Sequence, residues 1–162
     1  MLVTNHVLSG ALIGAVVRRP AAAFALGVAS HFALDALPHW GWKGPLLQVA
    51  VPDGLAGLAA IGCFAALAPP ERRLAVLAGM AGAALPDLDK PAKLWLGRTP
   101  FPRAVDAFHA SIQREAPGRA RYEFAAAAVL GAAALACLRG RSAVTLPGGD
   151  IPDRPAAPGR LA

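Results

Sequence analysis

The segment His31-Phe32-Ala33-Leu34-Asp35-Ala36-Leu37-Pro38-His39 spaces an imidazole, a carboxylate and a second imidazole four residues apart. Four residues of α-helix turn by about 400°. The three side chains therefore share a face and can converge on a divalent cation, as in helix-borne metal motifs. Pro38 biases Leu37 away from helical dihedrals, so the helix can end there and His39 can bend away. His31 and Asp35 remain the pair that the helix itself aligns. Pro86-Asp87-Leu88-Asp89 adds two carboxylates directly after an apolar run. Neighbouring carboxylates repel unless a cation or a proton intervenes. Lys90 and Lys93 offer a plainer alternative, a neutralised and solvated turn.

Three further polar residues interrupt or border apolar sequence. His6 follows Thr4 and Asn5, either of which can cap a first helix. Asp53 follows Pro52 near the start of an apolar run, where the helix dipole also favours a carboxylate. His109, in Phe108-His109-Ala110-Ser111, reads as a ligand, a general acid or loop surface. The expected metal ligands are thus His6, His31, Asp35, His39, Asp53 and Asp87, an N and O donor set that suits zinc or manganese. Asp89 or His109 is the expected catalytic base. Eight candidates exceed the needs of one ion, so two ions, or residues that only orient the ligands, are both open.

The elements that must position these groups are apolar. The chain has 162 residues, 56% apolar and 16% charged, with a mean hydropathy of +0.46. Ordinary soluble domains carry roughly 45–50% and 25%. The excess is Ala, Leu, Val and Gly, which suits helices packed closely in lipid. Five apolar segments stand out, at about 2–17, 21–37, 46–68, 74–86 and 122–138. They lack strand-like alternation and read as helices. A full crossing takes about 20 residues, so 2–17 is marginal and 74–86 is short. The expected fold class is all-α: a polytopic membrane helical bundle over 1–138. A Gly/Pro/Arg-rich tail over 139–162 reads as disordered. The rival class is a soluble bundle with an unusually apolar core.

His6-Val7-Leu8-Ser9-Gly10 reads against Asp53-Gly54-Leu55-Ala56-Gly57, and Ala36-Leu37-Pro38-His39 against Ala84-Leu85-Pro86-Asp87. This suggests an internal repeat of two helix pairs, each joined at an arginine pair, Arg18-Arg19 or Arg72-Arg73. If successive segments cross antiparallel, every candidate ligand falls at one end of the bundle and those arginines at the other.

The net charge is +6 and the pI about 10.4. Aromatics are not interleaved with Lys and Arg, and no nucleic-acid motif is present, so a nucleic-acid partner is not expected. Basic loops beside membrane helices explain the charge. Cys63 and Cys137 lie in apolar runs without CxxC spacing and read as small buried hydrophobes. The N-terminus has neither a basic region nor a cleavage site of the secretory kind. Trp40, Trp42 and Trp95 fall near segment ends, as interfacial anchors do. No hydrolase elbow, P-loop or dinucleotide fingerprint occurs.

His6 before a Gly-containing apolar helix, His31-Phe32-Ala33-Leu34-Asp35, and Leu85-Pro86-Asp87-Leu88-Asp89 together resemble the bacterial inner-membrane proteins described as membrane-bound metal-dependent hydrolases. The resemblance covers about residues 4–110. In part the chain is also similar to the zinc-dependent phospholipase C-like membrane proteins. The resemblance implies a multi-pass fold in a bacterial-type inner membrane, with a metal site at these residues and hydrolysis of an ester or phosphoester. Membrane lipid is then the nearest partner and a lipid-linked substrate fits the location. The family often has His-Arg-Gly followed by Thr-His-Ser after its Pro-Asp-x-Asp motif, whereas this chain has only Phe108-His109-Ala110-Ser111. The alternative reading is a non-enzymatic polytopic membrane protein, a carrier or a structural protein. In the carrier the same His/Asp cluster would bind an ion or proton.

Overall fold

The computed structural model describes residues 1–140. In order these form α1 (Val3–Val17), α2 (Pro20–Asp35), β1 (His39–Trp40), α3 (Leu47–Leu67), α4 (Pro70–Ala84), a 3₁₀ turn (Leu85–Leu88), α5 (Asp89–Leu96), α6 (Arg103–Ile112), β2 (Glu115–Ala116) and α7 (Ala120–Arg139). The architecture is all-α, with one two-residue parallel bridge. The expected disordered tail lies outside the described residues from 141 onward, while Arg139 still belongs to α7.

The five apolar segments correspond to α1, α2, α3, α4 and α7. Proline opens α2 and α4 in the first turn, where its missing N–H costs nothing. α4 starts earlier than its apolar run, so Arg72 and Arg73 lie in its first turn and not in the connection before it. The largest departure is in 87–121, which reads as a polar loop. It contains α5 and α6, two short amphipathic helices whose apolar residues are too few to register as a run.

α4 lies at the centre, packed against both α1 and α2. The backbones approach so closely that a Cβ at Gly10 or Gly14 of α1 would meet the α4 main chain at Gly79 or at Ala75 and Val76. A Cβ at Gly82 of α4 would meet the Phe24 carbonyl of α2. Small residues at helix crossings allow this approach, as they do in lipid. Val7, Leu8, Ala11 and Ala15 of α1, Phe64 of α3, Val76 and Met80 of α4, and Ala134 and Leu138 of α7 form the apolar core.

Beside this apolar core, polar residues are also buried and large apolar ones exposed. Asn5, His6, His31, Asp35, Arg72, Asp87 and Glu123 are buried, while Leu55, Leu58, Phe124 and Val129 are exposed. α3 and α7 are long and apolar enough to cross a membrane, yet only 11% and 17% of their most apolar windows are buried. α1, α2 and α4 have 15, 16 and 15 residues, short of the roughly 17–25 that a crossing takes. Cys63 is exposed and Cys137 half-buried, both as free thiols, so Cys63 is not the buried hydrophobe that its apolar run suggested.

The matched halves of the sequence repeat occupy different places. α4 packs on both α1 and α2, whereas α3 packs chiefly on α1. Strand β1 pairs with β2 in the register His39 with Glu115 and Trp40 with Ala116. The Arg114 N–H donates to the Asp35 carbonyl (3.3 Å) and the His39 N–H to the Arg114 carbonyl (3.1 Å). These bonds tie the end of α6 to the end of α2, which matters for the site.

Candidate metal centre

Four side chains converge where α2, the 3₁₀ turn and α6 meet. α2 puts His31 and Asp35 on one face, with His31 Nε2 and Asp35 Oδ2 3.1 Å apart. The 3₁₀ turn, forced where Pro86 cannot continue α4, delivers Asp87. Its Oδ1 lies 3.9 Å from His31 Nε2 and 4.0 Å from His109 Nε2. α6 brings His109 Nε2 to 3.0 Å from Asp35 Oδ2 and 3.1 Å from His31 Nε2. One donor atom from each of these four residues lies within 4.8 Å of the other three, and all four residues are buried.

The hydrogen bonds around this cluster leave it short of protons. The Ala83 carbonyl can only accept, so His31 Nδ1, 2.7 Å away, donates to it. Neutral His31 then has a bare Nε2. The Gln113 amide donates to Asp35 Oδ2 (2.7 Å) and also to His109 Nε2 (3.0 Å), which makes that nitrogen an acceptor too. Two acceptor imidazole nitrogens and a carboxylate oxygen thus crowd together at about hydrogen-bond distance, with the Gln113 amide donating to two of the three. A single proton relieves one such contact, whereas a divalent cation relieves all of them. Donor atoms on a tetrahedral zinc lie roughly 3.3 Å from one another, close to the spacings among His31, Asp35 and His109. Anchoring of the far ring nitrogen to a backbone carbonyl, as in His31, is how ligating histidines are usually oriented.

His6 adjoins this group. Its ring stacks on His31 with centroids 3.9 Å apart and planes 24° apart. Its Nε2 is 3.2 Å from Asp35 Oδ1, and both ring nitrogens are buried without a hydrogen-bond partner. The Met1 nitrogen also reaches Asp35 Oδ1, at 2.8 Å. Asp89 opens α5 behind His109, with Oδ2 3.8 Å from His109 Nδ1 and 3.1 Å from Lys93 Nζ. That is too long for a hydrogen bond to the ring, and Asp89 Oδ1 is buried without a partner. Burial, the largest single influence, pushes the Asp87 carboxyl up, but the Lys90 ammonium together with His6 and His31 lowers it further, so it lies below its ordinary range.

Two expected ligands lie elsewhere. α2 ends at Asp35, and His39 turns away into β1, where its Nδ1 meets the Leu37 carbonyl at 2.9 Å. Asp53 sits inside α3 and clamps the start of α1. Its carboxylate accepts from the Val3 N–H (2.7 Å), the Thr4 N–H (3.1 Å) and the Thr4 hydroxyl (2.6 Å). It satisfies donors that a helix start leaves unpaired. His109, expected in a loop as base or ligand, stands on α6 among the donor atoms.

Gln113 escaped the sequence reading. So did Glu123, which accepts from the Leu2 N–H (3.1 Å), the Asn5 amide (2.7 Å) and the Trp40 N–H (3.1 Å), joining α7 to α1 and β1. Gln113 stands four residues after His109, one turn on, which is the one signal the sequence offered for it.

Neither a family model, nor a curated protein, nor a solved structure matches the chain.

Proposed function

We propose that this chain is a multi-pass membrane protein that holds a divalent metal ion between His31, Asp35, Asp87 and His109 and uses it to hydrolyse an ester or phosphoester. The observation that carries the reading is the proton-poor meeting of His31 Nε2, His109 Nε2 and Asp35 Oδ2. N and O donors of this kind suit zinc or manganese. A divalent ion there supplies Lewis acidity and activates water. The chain's own groups do the rest. Ala83 fixes the His31 ring, Gln113 fixes the Asp35 carboxylate, and Lys90 helps to hold Asp87 ionised. Asp89, with a buried oxygen free to accept, is placed to take a proton near His109. Water adds across the ester bond: its hydroxyl goes to the acyl carbon or phosphorus and its remaining proton ends on the departing alcohol.

The membrane reading rests on the apolar residues that the long helices expose. Apolar helices that expose Leu55, Leu58, Phe124 and Val129 would aggregate in water. α3 and α7 then span the bilayer, and the shorter α1, α2 and α4 complete the bundle. Most ionisable residues of the site lie at helix ends and not at midspan, which favours a hydrolase over a carrier. The test uses detergent-purified protein with p-nitrophenyl acetate and bis-p-nitrophenyl phosphate. Hydrolysis that a chelator removes, that zinc or manganese restores, and that Asp87→Ala abolishes supports the enzyme. Metal binding with no turnover of either compound favours the carrier.

A further inference from the structure

α5 and α6 carry polar groups to the metal centre and turn an apolar face the other way. Asp106 and His109 on α6 are half-buried and buried, and Gln113 at its end is half-buried. Their spacing, i, i+3 and i+7, puts them on one face. After Arg103 the outward residues are Ala104, Val105, Ala107, Phe108, Ala110 and Ser111, all exposed. Ser111 gives its hydroxyl to the Phe108 carbonyl (2.7 Å), so its own helix satisfies it. On α5, Lys90 and Lys93 are paired with Asp87, Asp89 and Asp106. That helix then ends on Leu94, Trp95 and Leu96. Trp95 and Leu96, 74% and 70% exposed, are the most exposed large apolar residues among those described.

Helices on a water-facing surface turn their polar residues outward, and α6 does the reverse. Neither helix can cross a bilayer, since 8 and 10 residues rise only about 12 and 15 Å. Short helices with an apolar face meet lipid by lying in its surface layer, and tryptophan concentrates at that level. The connection between the two helices adds charge. Arg98 lies in it and Arg103 opens α6. Both are exposed, and neither meets a carboxylate among the described residues. Unlike the two lysines, these cations are free to meet anionic headgroups. A second copy of the chain on this face would instead bring the same charges against each other.

We propose that α5 and α6 lie in the boundary layer of a bilayer containing anionic lipid. Trp95, Leu96 and Phe108 enter the upper ends of the acyl chains, and Arg98 and Arg103 stand at the phosphates. The metal centre then lies directly against the lipid surface, with α6 as the wall between them: His109 and Asp106 face in and Phe108 faces out. This placement rests on the membrane reading above, but not on the metal or on hydrolysis.

The test is fluorescence of the full chain in lipid nanodiscs. Trp40→Phe/Trp42→Phe leaves Trp95 as the one tryptophan. The difference between wild type and Trp95→Phe gives the same signal without touching Trp40 or Trp42. The lipids carry bromine, a contact quencher, either near the headgroup or near the chain end. Trp95 should be quenched more by the shallow bromine. Leu58→Trp, placed on α3 in a chain whose three tryptophans are changed to Phe, should be quenched more by the deep one. Shallow bromine on phosphatidylglycerol should quench Trp95 more than the same bromine on phosphatidylcholine, and Arg98→Gln/Arg103→Gln should remove that preference. Trp95 left unquenched, or quenched more by deep bromine, while Leu58→Trp responds as expected overturns the placement and keeps the spans. Equal quenching by the two shallow lipids overturns the anionic contact. No quenching at either position overturns the placement together with the membrane reading.

Discussion

The Nε2 atoms of His31 and His109 face each other 3.1 Å apart, although the two residues come from different helices and are 78 positions apart in the chain. Each nitrogen also lies within 3.1 Å of Asp35 Oδ2. The bond from His31 Nδ1 to Ala83 and the bond from Gln113 to His109 leave both Nε2 atoms as acceptors. Such an arrangement is costly without a cation, because acceptors crowded this closely in a buried site repel one another. Metal should therefore stabilise the fold as well as serve chemistry. Added zinc or manganese should raise the Tm of chelator-treated protein, and His109→Ala should remove the rise. An equal rise in that variant would place the ion elsewhere.

Gln113→Leu should weaken metal retention without abolishing it. The amide orients Asp35 and His109 but is not among the clustered donors. Loss of a group that orients ligands costs about 10–100-fold in metal affinity, readable by competition with a chromophoric chelator. Unchanged affinity would show that Asp35 is held without it.

Asp53 separates clamping from ligation. Its carboxylate accepts three hydrogen bonds at the start of α1. Asp53→Ala should cost about 0.5–2 kcal/mol of stability, the usual cost of a lost helix cap, and leave metal stoichiometry intact. Loss of metal with little loss of stability would return Asp53 to the ligand set.

The glycines of the central crossing predict a contrast. A Cβ at Gly79 would meet the Gly10 carbonyl, whereas a Cβ at Gly62 on α3 meets nothing within 4 Å. Gly79→Ala should destabilise by about 1–3 kcal/mol or more, as overpacking does. Gly62→Ala should be neutral or gain up to about 1 kcal/mol in helix propensity. Thermal unfolding in one detergent ranks the two, and equal effects would contradict the close crossing.

Acid should act late on the metal-free fold. Burial is the largest single influence and raises the Asp87 carboxyl, but Lys90, His6 and His31 together lower it further, so its folded value is depressed. A depressed carboxylate contributes stability in full above the unfolded value, about 3.9, and loses it as pH falls through the folded value. Chelator-treated wild type should thus keep its Tm advantage over Asp87→Asn down to about pH 4. An advantage already gone at about pH 5 would mean that Lys90 and the neighbouring histidines do not hold Asp87 ionised.

Helical periodicity made much of the site legible. The four-residue spacing of His31 and Asp35 is itself the geometry of the pair, and Pro38 marks where His39 leaves it. Asp87 was legible because a proline after an apolar run ends a helix at a polar group. The helix carrying His109 was not, because α6 has ten residues and needs no apolar run to form. Asp53 was harder to read, because a carboxylate near a helix start looks the same whether it binds metal or serves another helix. Nothing local separates these, since its partners lie about fifty residues away. Gln113 reaches Asp35 across 78 residues and Glu123 reaches Asn5 across 118, and only the contact of Gln113 with His109, four residues back, follows a helical period.

The central claim is that this chain holds a metal ion, and its most direct test is the metal content of detergent-purified protein by mass spectrometry. The wild type is measured beside a His31→Ala/Asp87→Ala double variant folded to the same extent. The account predicts near-stoichiometric zinc or manganese in the wild type and none in the variant. No metal in either, after both ions have been resupplied, would contradict it.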